Sequence, residues 1–304
     1  MTDLLQVPAF ARLADYVGLW SMSPQHFSGL WSMAQRIDLA AHVEEGPPPL
    51  KSVLEKIPGP GDKSIAVVKM TGLLMKSQSS MGGTSTIQLR REIRAAAADP
   101  EVAGILLAVD SPGGTVAGTD DLATDVKAAR RAKPVWAHID DLGASAAYWA
   151  ISAANRIVAN SPTALVGSIG TIQVVRDFSA AAEREGIRTL VFATGSLKGL
   201  GTPGTKVTDE QAEHLQSLVD AVQLNFDSAV QKGRSLGVKE LAAVRHGGVM
   251  TATEAMDKRL VDAVQPLSKT LSEFSRELSG RTDHGRAAAG SLPMLRRGLP
   301  MLTG

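Results

Sequence analysis

Apolar positions follow two alternating rhythms between residues 64 and 265. The runs SIAVVKMTGLL from Ser64, AGILLAVDS from Ala103, PVWAHIDDL from Pro134 and RIVANS from Arg156 are short, apolar and rich in β-branched residues, as buried strands are. Between them lie segments with a helical period. STIQLRREIRAAAADPEV sets Ile87, Leu89, Ile93 and Ala97 on one side; DDLATDVKAARRAK and SAAYWAISAAN follow in the same register of strand, then helix. This alternation predicts an α/β fold, a mostly parallel sheet with helices packed around it. Downstream, VGSIGTIQVV reads as a further strand entry, FSAAAEREG as a helix and RTLVFAT as a strand. A long helical stretch then opens on Thr208-x-x-Gln211, which has the form of a capping box. TATEAMDKRLVDAVQ closes the domain.

The flanks differ. Residues 1–45 read as a mostly helical lead-in, with Leu19, Trp20, Phe27, Leu30, Trp31 and Met33 at helix-like intervals about a helix start at Ser23-Pro24. The simplest reading is a docking helix that buries two tryptophans; the other is a partner-binding arm. Proline and glycine in residues 46–63 predict a linker, at least in part, before the domain at 64–279. Residues 280–304 lack a period and read as a flexible tail.

Composition narrows the chemistry. With 44% apolar and 21% charged residues and a net charge of +1, the chain is of the soluble globular type and has no basic surplus that would favour nucleic acid. It has no cysteine, so thiolate nucleophiles and disulfides are excluded. Its six histidines show no ligand-like spacing, so neither a zinc site nor any other metal or cofactor is expected. No run of eighteen apolar residues suggests a membrane span, and the N-terminus does not look like a signal peptide, so a location in the host-cell cytoplasm is expected.

Two segments carry candidate chemistry. In GASAAYWAISAANRIVA, Ser145 stands among glycine and alanine where a helix begins. There the N–H of Ala146 and the positive end of the helix dipole could stabilise an oxyanion. An ordinary N-cap serine is the plain alternative. In DSPGGTVAG, Pro112-Gly113-Gly114 turns directly after a buried strand with no side chain to screen its N–H groups. It lacks the spacing of a phosphate-binding loop, so an oxyanion donor at Gly114 is the better functional reading. Between Asp141 and Asp177 there is no Asp, Glu or His, so no local triad exists, and His138 reads as structural. Lys198, in a glycine-rich loop, could serve as base only if desolvated, because a free lysine keeps its proton up to about pH 10.4.

DSPGGTVAG, GASAAYWAISAANRIVA, VGSIGTI and TGSLKGLGTPGTKVTDEQ, in this order, resemble the signal peptide peptidase A / protease IV serine peptidases over roughly residues 64–265. YVGLWSMSP is similar to the lead-in of the phage capsid maturation proteases of that family. The resemblance implies a ClpP/crotonase-like fold, Ser145 as nucleophile, Lys198 as general base, and Gly114 and Ala146 as oxyanion donors, with Gly113 in support. It also implies that the Ser168 hydroxyl orients the lysine amine. Substrate would lie extended beside Thr115, Val116 and Ala117 on one side and Thr171 and Ile172 on the other. It further implies a homo-oligomer in which the dyad can be shared between subunits, and capsid or scaffold proteins as substrates in the cytoplasm or prohead. The family's usual membrane anchor is missing from the sequence, and alanines stand where glycines often follow the serine. The competing readings are a cytoplasmic signal-peptide-peptidase-like protease, a crotonase-type acyl-CoA enzyme, and a scaffold protein that kept the fold.

Overall fold

A computed structural model describes residues 19–34, 52–77 and 83–290. The chain folds as α/β, as the alternating rhythm predicts. In order it forms β1 (Trp20–Met22), α1 (Pro24–Ala34), β2 (Leu54–Pro58), β3 (Ser64–Thr71), β4 (Leu74–Met75), β5 (Thr84–Ser85) and α2 (Thr86–Ala98). Then come β6 (Val102–Ser111), β7 (Gly113–Thr115), α3 (Thr119–Ala132), β8 (Val135–Ala144), α4 (Ala146–Ile151), β9 (Arg156–Ala159), β10 (Leu165–Gly167) and α5 (Ser179–Arg184). The last part comprises α6 (Asp209–Arg234), α7 (Val238–Val244), β11 (Val249–Thr251), α8 (Ala252–Asp257), β12 (Ala263–Val264) and α9 (Leu267–Gly290).

The main sheet runs β11-β10-β8-β6-β3-β2, with β9 and β12 joined through β8. Its centre is parallel, and the antiparallel pairs β2–β3 and β10–β11 close it. The middle strands are buried on both faces, which is why their sequences are continuously apolar rather than alternating. Strand β8 forks: residues 136–139 pair with β9, and 142–144 pair with β10. The fork opens the sheet just before Ser145. A second, small sheet, β1-β7-β4-β5, sits beside it.

Helices α2, α3 and α6 cover one face. Leu89 and Ile93 of α2, Leu122 and Val126 of α3, and Phe226 and Val230 of α6 enter one core with Ile105, Leu107 and Ile139. On the other face α9 lays Phe274 on Trp136, ring centroids 4.9 Å apart, and Arg156 stands over the same indole. Two arginines of α2, Arg90 and Arg94, meet the buried Asp125 of α3 at 2.7 and 2.9 Å and so fix how these helices lie together.

Several expectations change. Where it is described, the lead-in is helical from Pro24 to Ala34, but Trp20-Ser21-Met22 before it is a strand, which the helix-like intervals did not predict. Trp20 is buried; the side chain of Trp31 lies outside the described residues. The segment expected as linker contributes β2, an edge strand that pairs antiparallel with β3 from Leu54 opposite Val68 to Pro58 opposite Ser64. RTLVFAT joins no sheet; Leu190, Val191 and Phe192 are exposed. Ile87 faces solvent, while Leu89, Ile93 and Ala96 form the buried stripe of α2. Helix α9 continues to Gly290 through the first part of the expected tail, and residues 291–304 of that tail lie outside the described residues, as do 1–18 and 35–51. The capping box of α6 is formed: the Gln211 N–H donates to Thr208 Oγ1, and the Thr208 N–H to Gln211 Oε1.

Candidate active site

Ser145 ends the forked strand β8 and starts α4. Its backbone angles are φ 55° and ψ −118°, a region closed to most side chains and costly by roughly 1–3 kcal/mol. Such strain persists only where the surroundings over-determine it, and here they do. The Ser145 N–H donates to the Gly167 carbonyl at 2.7 Å, and the Ser145 carbonyl accepts from Trp149 N–H at 2.7 Å. All six residues of α4 are buried. Trp149 stacks on Phe226 of α6 at 4.8 Å, and the Tyr148 hydroxyl donates to the Leu260 carbonyl at 2.9 Å. Burial keeps that phenol protonated well above its ordinary range. A sharp strand-to-helix turn with the hydroxyl at its apex is the geometry of a nucleophile elbow. At the first turn of α4 the N–H of Ala146 has no acceptor within the helix.

The Gly-Gly turn lies against this elbow. A Cβ at Gly113, whose φ is +98°, would stand 2.9 Å from both Ala146 N and Ser145 Cβ. The small residue there lets two backbones meet at the hydroxyl. Gly114 is required for a different contact: a Cβ would stand 1.8 Å from the Leu74 carbonyl oxygen of β4. Gly113 thus abuts Ser145 directly, while Gly114 sits one residue along β7. Ser111, which the sequence reading passed over, ties the turn down. Its hydroxyl donates to the Gly72 carbonyl at 2.6 Å and accepts the Gly113 N–H at 3.2 Å. Beside it, the carboxyl of the exposed Asp110 titrates above the usual carboxylate range, through partial desolvation first and then the nearby Asp140 and Asp141.

The remaining expected residues are brought only partly together. Ser168 is buried with φ 49°, and its hydroxyl donates to the Gly247 carbonyl at 3.0 Å rather than to an amine. Lys198 lies on a short 3-10 turn, Ser196–Gly199, that packs against α6 and is exposed to solvent. No hydrogen bond joins its amine to Ser145 among the described residues. Instead the Ser145 hydroxyl meets a residue that the sequence reading missed, Ser21 of β1, with the two oxygens 2.8 Å apart. Thr115, Val116 and Ile172, expected to hold substrate, are paired with β1 as well. Thr171 Oγ1 beside them is buried without a hydrogen-bond partner among the described residues, and the Ala117 carbonyl accepts from the Thr115 hydroxyl. The signal for β1 was present as the period-two pattern Trp20-Ser21-Met22, but its large apolar residues also fit a helix. His138 is buried on β8 with no hydrogen-bond partner at either ring nitrogen among the described residues, in keeping with a structural role.

Among the described residues no cluster of three or more His, Asp or Glu could hold a metal ion, and no helix is long and apolar enough to cross a membrane.

The chain is 36% identical over 223 residues to the capsid assembly protease C of Escherichia phage lambda, covering 71% of this chain and 50% of that protein. It is 27% identical to the head-tail preconnector protein GP5 of Enterobacteria phage P21, over 76% of this chain and 46% of that one. With Protease 4 of Salmonella typhi the identity is 29%, over 69% of this chain and 34% of the relative. The chain therefore spans about half the length, or less, of these relatives. Solved structures that share features of the architecture include an enoyl-CoA hydratase of Mycobacterium smegmatis (TM-score 0.45, 12% identity, 75% of this chain and 77% of that one). Another is a mutant form of ClpP1 of Listeria monocytogenes (TM-score 0.43, 11% identity, 67% of this chain and 94% of that one). Peptidase family S49 matches residues 127–279, a span of about half the chain that holds the Ser145 elbow, the Ser168 turn and the Lys198 loop, and this chain belongs to that family.

Proposed function

We propose that this chain is a serine endopeptidase that acts through a Ser145–Lys198 dyad on proteins of a phage or prophage head, capsid or scaffold components among them. The strained, fully buried backbone of Ser145 with Gly113 set against it is the observation that carries the reading. An ordinary N-cap serine has no reason to hold that conformation. The similarity to the lambda capsid assembly protease and to the P21 preconnector protein supports the head-protein substrates. The site of action is then the host-cell cytoplasm or the prohead.

In this mechanism the neutral Lys198 amine takes the Ser145 proton as Oγ bonds to the scissile carbonyl carbon. The N–H groups of Gly114 and Ala146 receive the oxyanion. Collapse breaks the C–N bond, and the lysine returns its proton to the leaving amine. Water, deprotonated by the same amine, then hydrolyses the ester. A lysine acts as base only when dried. Lys198 is solvated in a single chain, so the dyad is completed across an interface between copies. Its segment supports this: Phe178, Ile187, Leu190 and Phe192 are all exposed there, Phe192 at 92%. Apolar side chains of this size in one stretch favour burial against a partner.

The test is labelling of the full chain with a fluorophosphonate, together with cleavage of a co-expressed scaffold protein. Ser145→Ala is expected to lose both, and Lys198→Ala to lose at least about a hundredfold in rate, the loss typical of removing a general base. Cleavage that survives Ser145→Ala removes the assignment.

A further inference from the structure

The groove expected to hold an extended substrate is filled by the chain's own strand β1. On one edge β1 runs antiparallel to β7, with Trp20 opposite Thr115, Ser21 opposite Gly114 and Met22 opposite Gly113. The Val116 N–H donates to the Leu19 carbonyl at 3.1 Å, and the Ser23 N–H to the Pro112 carbonyl at 3.1 Å. Ser21 and Gly114 lie midway between these two bonded pairs. The alternation of an antiparallel ladder therefore turns the Gly114 N–H toward the Ser21 carbonyl rather than toward open cleft. On the other edge Trp20 and Ile172 exchange two backbone bonds, each of 2.8 Å. An extended segment bonded on both edges across a hydroxyl is how an added strand is recognised.

What β1 presents to the nucleophile is a hydroxyl and not a carbonyl carbon. Ser21 Oγ stands 2.8 Å from Ser145 Oγ and also donates to the Gly170 carbonyl at 3.3 Å. Ser145 is fully buried in this arrangement. No peptide carbonyl can reach it while β1 is in place. The segment is also held separately from the main core. Trp20 and Met22 form a small cluster with Met75, flanked by Phe27, Leu30, Leu73 and Ile172. Release therefore disrupts three strand residues and a satellite cluster and leaves the sheet intact, the scale of a local opening.

From this we infer that β1 is an internal plug: Leu19–Ser23 occupies the place of the substrate, holds the Ser145 hydroxyl and a glycine N–H of the oxyanion site, and must leave for catalysis. The inference rests on Ser145 being the nucleophile. It makes the folded chain latent and makes entry of an extended polypeptide a strand exchange.

The chain has no cysteine, so one disulfide can be placed without competition. Trp20 and Ile172 are a hydrogen-bonded antiparallel pair, whose Cα separation of about 5.5 Å suits a disulfide. The full chain carrying Trp20→Cys and Ile172→Cys is oxidised, the bond verified by mass, and labelled with a fluorophosphonate before and after reduction. The expected result is labelling at least about tenfold slower when oxidised and recovered on reduction, while the wild type ignores the reductant. Equal labelling in both forms overturns the plug and leaves the nucleophile standing. Absence of labelling in wild type and reduced variant alike, while the Trp20 and Ile172 N–H groups exchange fast enough to show that β1 opens, overturns the nucleophile and the plug together. Amide exchange in the wild type decides independently of the substitutions. The Trp20, Val116 and Ile172 N–H groups are expected to exchange much faster than those of Leu106 and Leu107 in the sheet. Exchange of both sets at one rate makes β1 a permanent part of the domain and overturns the inference.

Discussion

Ser145 is strained because two demands meet at one residue: β8 must end in the fork, and α4 must start under α6. Its strain can be measured. Ser145→Ala and Ser145→Gly both remove the hydroxyl, but only glycine is at ease at φ 55°. We expect the glycine variant to be more stable than the alanine variant by about 1 kcal/mol in urea unfolding, the strain relieved being partly offset by glycine's greater chain entropy. Equal stability would mean that the backbone is not strained. His138 gives a second prediction. Burial holds its imidazole below the ordinary histidine range, against the weaker pull of the Asp140 carboxylate. A depressed folded-state value means the unfolded chain takes up the proton first. The stability from neutral His138 is therefore full above about pH 6.5 and declines as pH falls below it. His138→Leu is expected to flatten this part of the stability–pH curve, and an unchanged slope would assign the dependence elsewhere. At this scale Ser145 and Gly113 were legible in the sequence, as a small-residue helix start and a Gly-Gly turn. Ser21 and Ser111 were not, because nothing in a lone serine tells which backbone it will face.

Among the elements, α4 is the one on which the site depends. Six residues are too few to hold a helix by propensity alone. Packing holds it, above all Trp149 on Phe226 with the rings 9° from parallel. Phe226→Ala is expected to cost ~3–5 kcal/mol and to release the elbow before the sheet. Fluorophosphonate labelling should then fall at urea concentrations where the far-ultraviolet signal is still native. Coincident loss of both would show that elbow and sheet unfold as one. The strands of the main sheet were readable because burial on both faces demands unbroken apolar runs. RTLVFAT is also apolar, yet it pairs with no strand among the described residues and leaves Leu190, Val191 and Phe192 exposed. Composition sets a segment's preference, and available partners decide its state.

For the whole molecule, the exposed stretch around Phe192 and the solvated Lys198 belong to one segment. The proposed dyad thus ties activity to assembly. Phe192→Asp is expected to weaken self-association at least about tenfold, or ~1.4 kcal/mol per interface, by sedimentation, with labelling of Ser145 falling in parallel. Unchanged association would place the interface elsewhere, and full activity in a monomer would place the base elsewhere.

The order of strands and helices, the buried runs of the sheet and the position of a serine with small neighbours follow from the amino acids alone, since they depend on local period and side-chain size. Tertiary structure alone decided that Trp20-Ser21-Met22 is a strand, that it lies across Ser145, and that Lys198 stays in water. These are matters of which distant backbones meet, and Ser21 and Ser145, separated by 124 positions, carry no shared local pattern. Hydrogen bonds to main chain are blind to side-chain identity, so a groove that takes any extended peptide takes the chain's own as readily.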